Sequence, residues 1–160
     1  MPWSLDPIGT LRTPHTDPAG MPIQPPGAAG VAGTAELDTE YTAGLADLDG
    51  FSHVILVYLF DRASGFDLAV VPFLDTTPRG LFSTRAPRRP NPIGLSIVRL
   101  VRVDGAVLHL DGVDMLDGTP LLDVKPFVPA FDVPDGACRT GWLEDVGDGA
   151  RKRRSDGRFG

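Results

Sequence analysis

The residues best equipped for chemistry crowd into one segment, Gly80-Leu81-Phe82-Ser83-Thr84-Arg85-Ala86-Pro87-Arg88-Arg89-Pro90-Asn91-Pro92-Ile93-Gly94-Leu95-Ser96. Pro87, Pro90 and Pro92 fix their backbone angles and remove donors, so the segment reads as a stiff, non-helical loop. Arg85, Arg88 and Arg89 sit on it within five positions. Arginine offers a planar fork that pairs bidentately with carboxylate or phosphate. A plain surface loop would account for the arginines but not for so rigid a support, which favours a functional loop. A second segment runs from Asp114 to Phe127: Asp117-Gly118 makes a turn and Leu121 to Val124 leaves it as a strand. Asp117 has the chemistry to accept hydrogen bonds from a ribose diol or to sit near a cation. It is equally a turn cap, the commoner role for Asp at such a position, and spacing alone favours the cap. Pro22-Ile23-Gln24-Pro25 is a third, shorter loop presenting one amide.

Other constellations are missing. The chain has no G-x-x-x-x-G-K-[ST], H-E-x-x-H or G-x-S-x-G string. His15, His53 and His109 lack metal-ligand spacing, and a single cysteine, Cys138, excludes an intrachain disulfide or a multi-cysteine zinc site. Asp145-Val146-Gly147-Asp148-Gly149 resembles a dinucleotide-type glycine loop, but such a loop works between a strand and a helix of a βαβ unit. Eleven residues follow Gly149, too few for that unit, so it reads as a turn.

Loops of this kind need a scaffold of short elements. Nineteen glycines and sixteen prolines break the chain into small pieces. In Ser96 to Val103, Ile97, Val101 and Val103 alternate with polar Ser96 and Arg102. An Asp104-Gly105 turn and then Ala106 to Leu110 follow, a strong hairpin signal. His53 to Phe60 is a continuous apolar run, expected as a buried strand. Ala29 to Leu37 and Asp67 to Val71 read as further strands. Thr39 to Leu48 is the one clear helix candidate, with Asp38 as N-cap and Tyr41, Leu45 and Leu48 at helical spacing. The expectation is a mainly β fold: a small barrel of short antiparallel strands with one or two short helices, and no Rossmann core. Residues 1–140 are expected as the domain and 141–160 as a basic, disordered tail, with the Pro-rich stretch to Pro26 extended over the surface.

At 160 residues the chain suits one domain. It has neither an apolar run of membrane-spanning length nor a secretory leader at Met1-Pro2-Trp3-Ser4, and a cytoplasmic setting is expected. Charge is uneven. Residues 151–160 carry a net +4, so with a total of −6 the preceding 150 residues sum to −10. An acidic body is a poor generic match to RNA, so nucleic-acid binding would rest on local basic patches: the tail and the Arg85, Arg88, Arg89 loop.

Four strings, in order, resemble signature segments of the TsaA-like (TrmO) family. They are Pro22-x-Gln24-Pro25, Leu48-x-Gly50-Phe51-Ser52-His53, Thr84-Arg85-x-Pro87-x-Arg89-Pro90-Asn91-Pro92-Ile93-Gly94, and Asp117-Gly118-Thr119-Pro120-Leu121-x-Asp123-x-Lys125-Pro126. The resemblance covers about residues 5 to 130, and the last two strings are long enough to make a chance joint match very improbable. It implies a β-barrel methyltransferase, usually dimeric, that uses S-adenosyl-L-methionine to methylate N6 of threonylcarbamoyladenosine beside the anticodon of threonine tRNA. It places cofactor contacts on Pro22, Ile23, Gln24, the Phe60-Asp61-Arg62 segment, Arg85, Leu95, Leu116, Asp117, Gly118 and Thr119. Arg88, Arg89, Asn91 and Lys125 are the expected substrate contacts. The family commonly has His where this chain has Asp61. Longer members carry a further C-terminal domain, where only the basic tail stands here. N6 is a poor nucleophile, so a base is expected, with Asp117 the first candidate and His53 the second. The alternatives are another substrate for the same chemistry, or a non-catalytic barrel binding a nucleotide-like ligand.

Overall fold

A computed structural model describes residues 2–19, 28–73 and 75–144. Eight strands follow one another: β1 (Gly9–Arg12), β2 (Ala32–Leu37), β3 (His53–Leu59), β4 (Ala69–Val70), β5 (Arg79–Gly80), β6 (Ile93–Asp104), β7 (Val107–Asp111) and β8 (Thr119–Pro126). Six of them close into an antiparallel barrel in the order β1-β2-β7-β6-β3-β8, while β4 and β5 pair by themselves. Closure leaves no unpaired edge, which lets strands this short form a stable sheet. The mainly β expectation holds, and no helix among the described residues is long and apolar enough to cross a membrane.

The barrel interior is filled by every second residue of each strand. Leu11, Ala35, Val54, Leu56, Val98, Leu100, Leu108, Leu110 and Leu121 are all buried there. In β3 the alternation is strict: Val54, Leu56 and Tyr58 point in, and Ile55, Val57 and Leu59 point out, half-buried. The continuous apolar run therefore marks a strand with two apolar faces, not one surrounded by protein. In β6 the expected facing is inverted. Gly94, Ser96, Val98 and Leu100 point in, leaving Leu95, Ile97 and Val101 half-exposed outside. A register shift between Leu100 and Arg102 then changes the phase, so Val103 returns to the core. Small residues are required inside at the start of β6. A Cβ on Gly94 would meet the Tyr58 ring at Cε2 and, at 2.6 Å, at Cζ, and Phe60 at 2.9 Å.

Two further details differ from the sequence expectation. The β6–β7 hairpin turns on Gly105-Ala106, with Asp104 still paired to Val107. Gly105 alone of the two has a left-handed φ, 59°, as a type II′ turn needs at its first central residue. The helix candidate is a 3-10 segment, Thr39–Leu45, whose Asp38 holds the cap position without a side-chain cap bond. Only Leu45 of it is buried, and one buried residue gives too little apolar stripe to hold an α-helix. A single α-turn, Pro129–Asp132, follows β8.

Strand pairing sorts the connections into two rims. The connections that leave Arg12, Leu59 and Asp111 start at the near rim, where Ala32, Ile93 and Thr119 begin the strands that follow. Residues 38–52, the 105–106 turn and the chain after Pro126 lie at the far rim. Residues 141–144, expected in the tail, return to the 60–92 connection. Trp142 Nε1 donates to Ser83 O at 2.9 Å, and the Arg79 guanidinium lies 5.6 Å from the centre of the Trp142 ring. The basic stretch 151–160 lies outside the described residues.

Candidate active site

The near rim is built by local hydrogen bonds that only particular residues supply. The 113–118 segment is laced to the end of β1. Thr13 N donates to Asp117 Oδ1 at 3.1 Å, Thr13 Oγ1 donates to Met115 O at 2.7 Å, and His15 Nε2 lies 3.0 Å from Val113 O. Backbone bonds Asp117 N to His15 O (2.7 Å) and Gly118 N to Leu11 O (2.9 Å) complete the joint. Gly118 has φ 83°, a conformation that favours glycine. Asp117 thus ties one loop to another, close to the capping role its spacing suggested.

The 81–92 loop folds partly on its own arginine. Arg89 Nη1 donates to Thr84 O at 2.9 Å and Ala86 O at 3.1 Å, and its guanidinium carbon lies 5.9 Å from the centre of the Phe82 ring. Phe60 N donates to Pro92 O at 2.7 Å, which brings the exposed Asp61-Arg62 turn beside Asn91.

Three polar residues are buried among those described: Thr84, Ser96 and Thr119. Thr84 and Thr119 each satisfy their hydroxyl on the carbonyl three residues back, at 2.7 Å and 2.6 Å. Ser96 instead links side chains. It donates to Asp114 Oδ1 at 2.7 Å, and Tyr58 Oη lies 2.8 Å from its oxygen. With Asp114 ionised, the one Ser96 proton goes to its carboxylate, and Tyr58 then donates to Ser96. The chain Tyr58–Ser96–Asp114 therefore runs from β3 through β6 to the 112–118 connection. Burial pushes the Asp114 carboxyl up to about 7, against the opposing pull of the Ser96 hydrogen bond and the Arg85 charge. Burial, then the Asp114 charge, push the Tyr58 phenol up as well. Arg85, exposed on its loop, acts on both groups and so stands within electrostatic reach of the barrel mouth.

The structure gathers some of the sequence candidates and separates others. Asp61, Arg62, Arg85, Arg88, Arg89, Asn91, Leu116, Asp117, Gly118 and Thr119 all lie on near-rim connections or at their edge. Pro22, Ile23 and Gln24 lie outside the described residues. His53 begins β3 at the far rim, about 20 Å along the sheet from Leu59 at 3.3 Å per residue. Its Nδ1 lies 2.8 Å from Ser52 Oγ, and its ring meets Phe127 edge-on. Lys125 is paired with Ile55 on the outer face of β8 and bridges to Asp123 at 2.8 Å. Leu95 lies on the outer wall, half-exposed. A shallow cleft of about 420 Å³ opens beside His53, lined by residues 49–53, Arg99 and Leu100. The 48–53 string lines this cleft, but no side chain of the Tyr58–Ser96–Asp114 chain does, and the two longest motif strings reach the other rim, where we place the candidate site. Sequence reasoning missed Asp114, Ser96 and Tyr58. The available signals were a tyrosine on the inward phase of an apolar strand and a serine on the inward phase of β6.

Barrel and rim together define a closed antiparallel scaffold whose candidate site is carried by stiff loops flanked by arginine, with no parallel sheet among the described residues. Residues 10–133 match the family described as tRNA-methyltransferase O N-terminal domain, and the chain belongs to that family. It is 49% identical over 153 residues to a Pyrococcus abyssi protein named "Probable S-adenosyl-L-methionine-binding protein", covering 96% of this chain and 83% of that one. It is 42% identical over 93 residues to the Mus musculus tRNA (adenine(37)-N6)-methyltransferase, covering 56% of this chain and 22% of that enzyme. A crystal structure of TrmO from Pseudomonas aeruginosa superposes with a TM-score of 0.74 at 40% identity, over 89% of this chain and 63% of that one. The chain thus spans less than two thirds of the solved TrmO chain.

Proposed function

We propose that the chain is an S-adenosyl-L-methionine-dependent methyltransferase that acts in the cytoplasm on N6 of an adenosine in tRNA, with threonylcarbamoyladenosine in threonine tRNA as the preferred acceptor. The observation that carries this reading is convergence: in a chain of this family, the motif loop 84–92 and the 117–119 turn meet at one rim around an arginine and a half-buried carboxylate. The donor set fits the cofactor. Arg85 suits its carboxylate, Asp117 and nearby carbonyls suit its ammonium or ribose hydroxyls, and half-buried Leu116 suits its adenine face. When bound, S-adenosyl-L-methionine supplies an electrophilic methyl group on a sulfonium. The chain's part is to hold the acceptor nitrogen in line about 3–3.5 Å from that methyl and to keep water out. Arg88, Arg89 and Asn91 flank the same rim, in keeping with an acceptor that carries a carboxylate and sits among phosphates. The decisive experiment is mass spectrometry of nucleosides from tRNA incubated with the protein and methyl-labelled cofactor. One added methyl on threonylcarbamoyladenosine, absent from tRNA lacking the threonylcarbamoyl group, is expected. Methylation of both tRNAs alike would refute the acceptor preference, and no transfer to any tRNA would refute the reading.

A homodimer belongs to the same proposal. Three cross-strand pairs, Ile55–Ile97, Val57–Leu95 and Leu59–Ile93, form an apolar strip on the outer wall of β3 and β6. Arg99 borders it at one end, and the Asp123–Lys125 pair of β8 borders it along one side. An apolar centre with a charged rim is how a protein interface is built, and a second copy would explain an apolar outer wall with Leu95 at its middle. Leu95→Asp is expected to convert a dimer to a monomer in analytical ultracentrifugation, with the barrel's circular dichroism kept. A wild-type chain that sediments as a monomer at tens of micromolar would contradict this.

A further inference from the structure

We propose that Asp114 is the proton acceptor in methyl transfer, with Ser96 and Tyr58 as positioning residues that hold it at the barrel mouth. The inference rests on the methyltransferase reading above and names a residue that reading does not need. Asp117, the sequence candidate, has Oδ1 engaged by the Thr13 amide in a loop joint. His53 lies at the far rim. Asp114 alone among the near-rim carboxylates is approached from inside the barrel by a relay of hydroxyls, Tyr58 to Ser96 to Asp114, at 2.8 Å and 2.7 Å. The relay comes from two different strands, so the carboxylate is fixed by the scaffold and not by its own flexible loop. The residue is only partly buried, which leaves it a way to the surface.

The groups around it are named by element. Tyr58 comes from β3, Ser96 from β6, and Arg85 from the 81–92 loop, the charged group that acts on it. His15 is held on the neighbouring carbonyl of Val113, and Asp117 faces Thr13. Chemically, the N6 proton passes to the Asp114 carboxylate while the nitrogen pair bonds the methyl carbon. The methyl–sulfur pair stays on sulfur, which departs as a neutral thioether, and Asp114 later gives the proton to water. Charge balances, because the carboxylate and the sulfonium are neutralised together. A carboxyl raised to about 7 is half ionised near neutral pH, a suitable strength for this task.

Asp114→Asn keeps the acceptor for the Ser96 hydroxyl and removes the basicity. It is expected to lower kcat on threonylcarbamoylated tRNA by about 10²–10⁴-fold, with S-adenosyl-L-methionine affinity by calorimetry within threefold of wild type. Ser96→Ala removes a bond that holds the Asp114 carboxyl down, so the acid limb of its kcat profile is expected to move to higher pH. Stability supplies a readout independent of turnover. Folding raises this carboxyl from 3.8 to about 7, so the wild-type fold is favoured below pH 4 and loses that advantage as pH rises through 7. The melting temperature of Asp114→Asn relative to wild type should therefore climb between pH 4 and pH 7 and level off above. Wild-type turnover in Asp114→Asn would overturn the proposal while sparing the methyltransferase reading. Wild-type protein that binds cofactor but methylates no tRNA would overturn both.

Discussion

Arg85→Ala is expected to weaken S-adenosyl-L-methionine binding about a hundredfold, with unfolding temperature within about 2 °C of wild type. Hydrogen bonds to charged groups contribute about 1.5–3 kcal/mol each, and a hundredfold is about 2.7 kcal/mol. Arg85 is exposed on a loop whose backbone Pro87 and Pro90 stiffen, so the chain that carries its fork has little freedom left to lose on binding. Its charge bears on Asp114 and Tyr58 inside the mouth, which is where a carboxylate-bearing ligand would lie. Removing it also takes away a force that lowers the Asp114 carboxyl, so the pH midpoint of that group should rise. Arg89→Ala is the contrast: its Nη1 serves the Thr84 and Ala86 carbonyls, and its loss should loosen the whole loop. Full cofactor affinity of Arg85→Ala in calorimetry would remove Arg85 from the binding site.

Gly94→Ala is expected to lower the unfolding temperature by about 3–10 °C and to cut turnover with it. The added methyl would sit on the Tyr58 ring, 2.6 Å from Cζ, and 2.9 Å from Phe60. Both rings are held: they pack edge-on at 5.5 Å, and Tyr58 bonds Ser96 at the middle of the barrel. Overpacking of this kind costs about 1–3 kcal/mol, and 1 kcal/mol is about 2–4 °C in a domain of this size. Because the ring that must move is the inner anchor of the Asp114 relay, the stability loss and the turnover loss should appear together. A thermal melt of Gly94→Ala that overlays wild type would show that the ring has room to spare.

The barrel was legible because alternation, turns and the lack of long helical periods all point the same way. The loops of the site were legible because Pro and Arg crowd there and their order matches a family. The facing of β6 was not, because the rule that apolar residues point inward fails where the outer wall is itself apolar. Ile97 and Leu95 lie outside and Ser96 inside, a choice made by the Tyr58 ring, 38 positions away from Ser96. The relay was hidden for the same reason: Tyr58, Ser96 and Asp114 come together only through strand pairing, and no local spacing announces them. His53 shows the opposite case, a motif residue whose string is distinctive but whose place, at the far rim, only the strand register reveals.

The central claim is that the near rim, with Arg85 and the 113–119 segment, holds the sulfonium donor. Hydrogen–deuterium exchange of the full chain with and without S-adenosyl-L-methionine tests it directly. Slower exchange confined to peptides over 81–92 and 113–119 is the predicted result. Protection over 48–53 and 99–102, at the His53 cleft, with none at the near rim, would contradict the account.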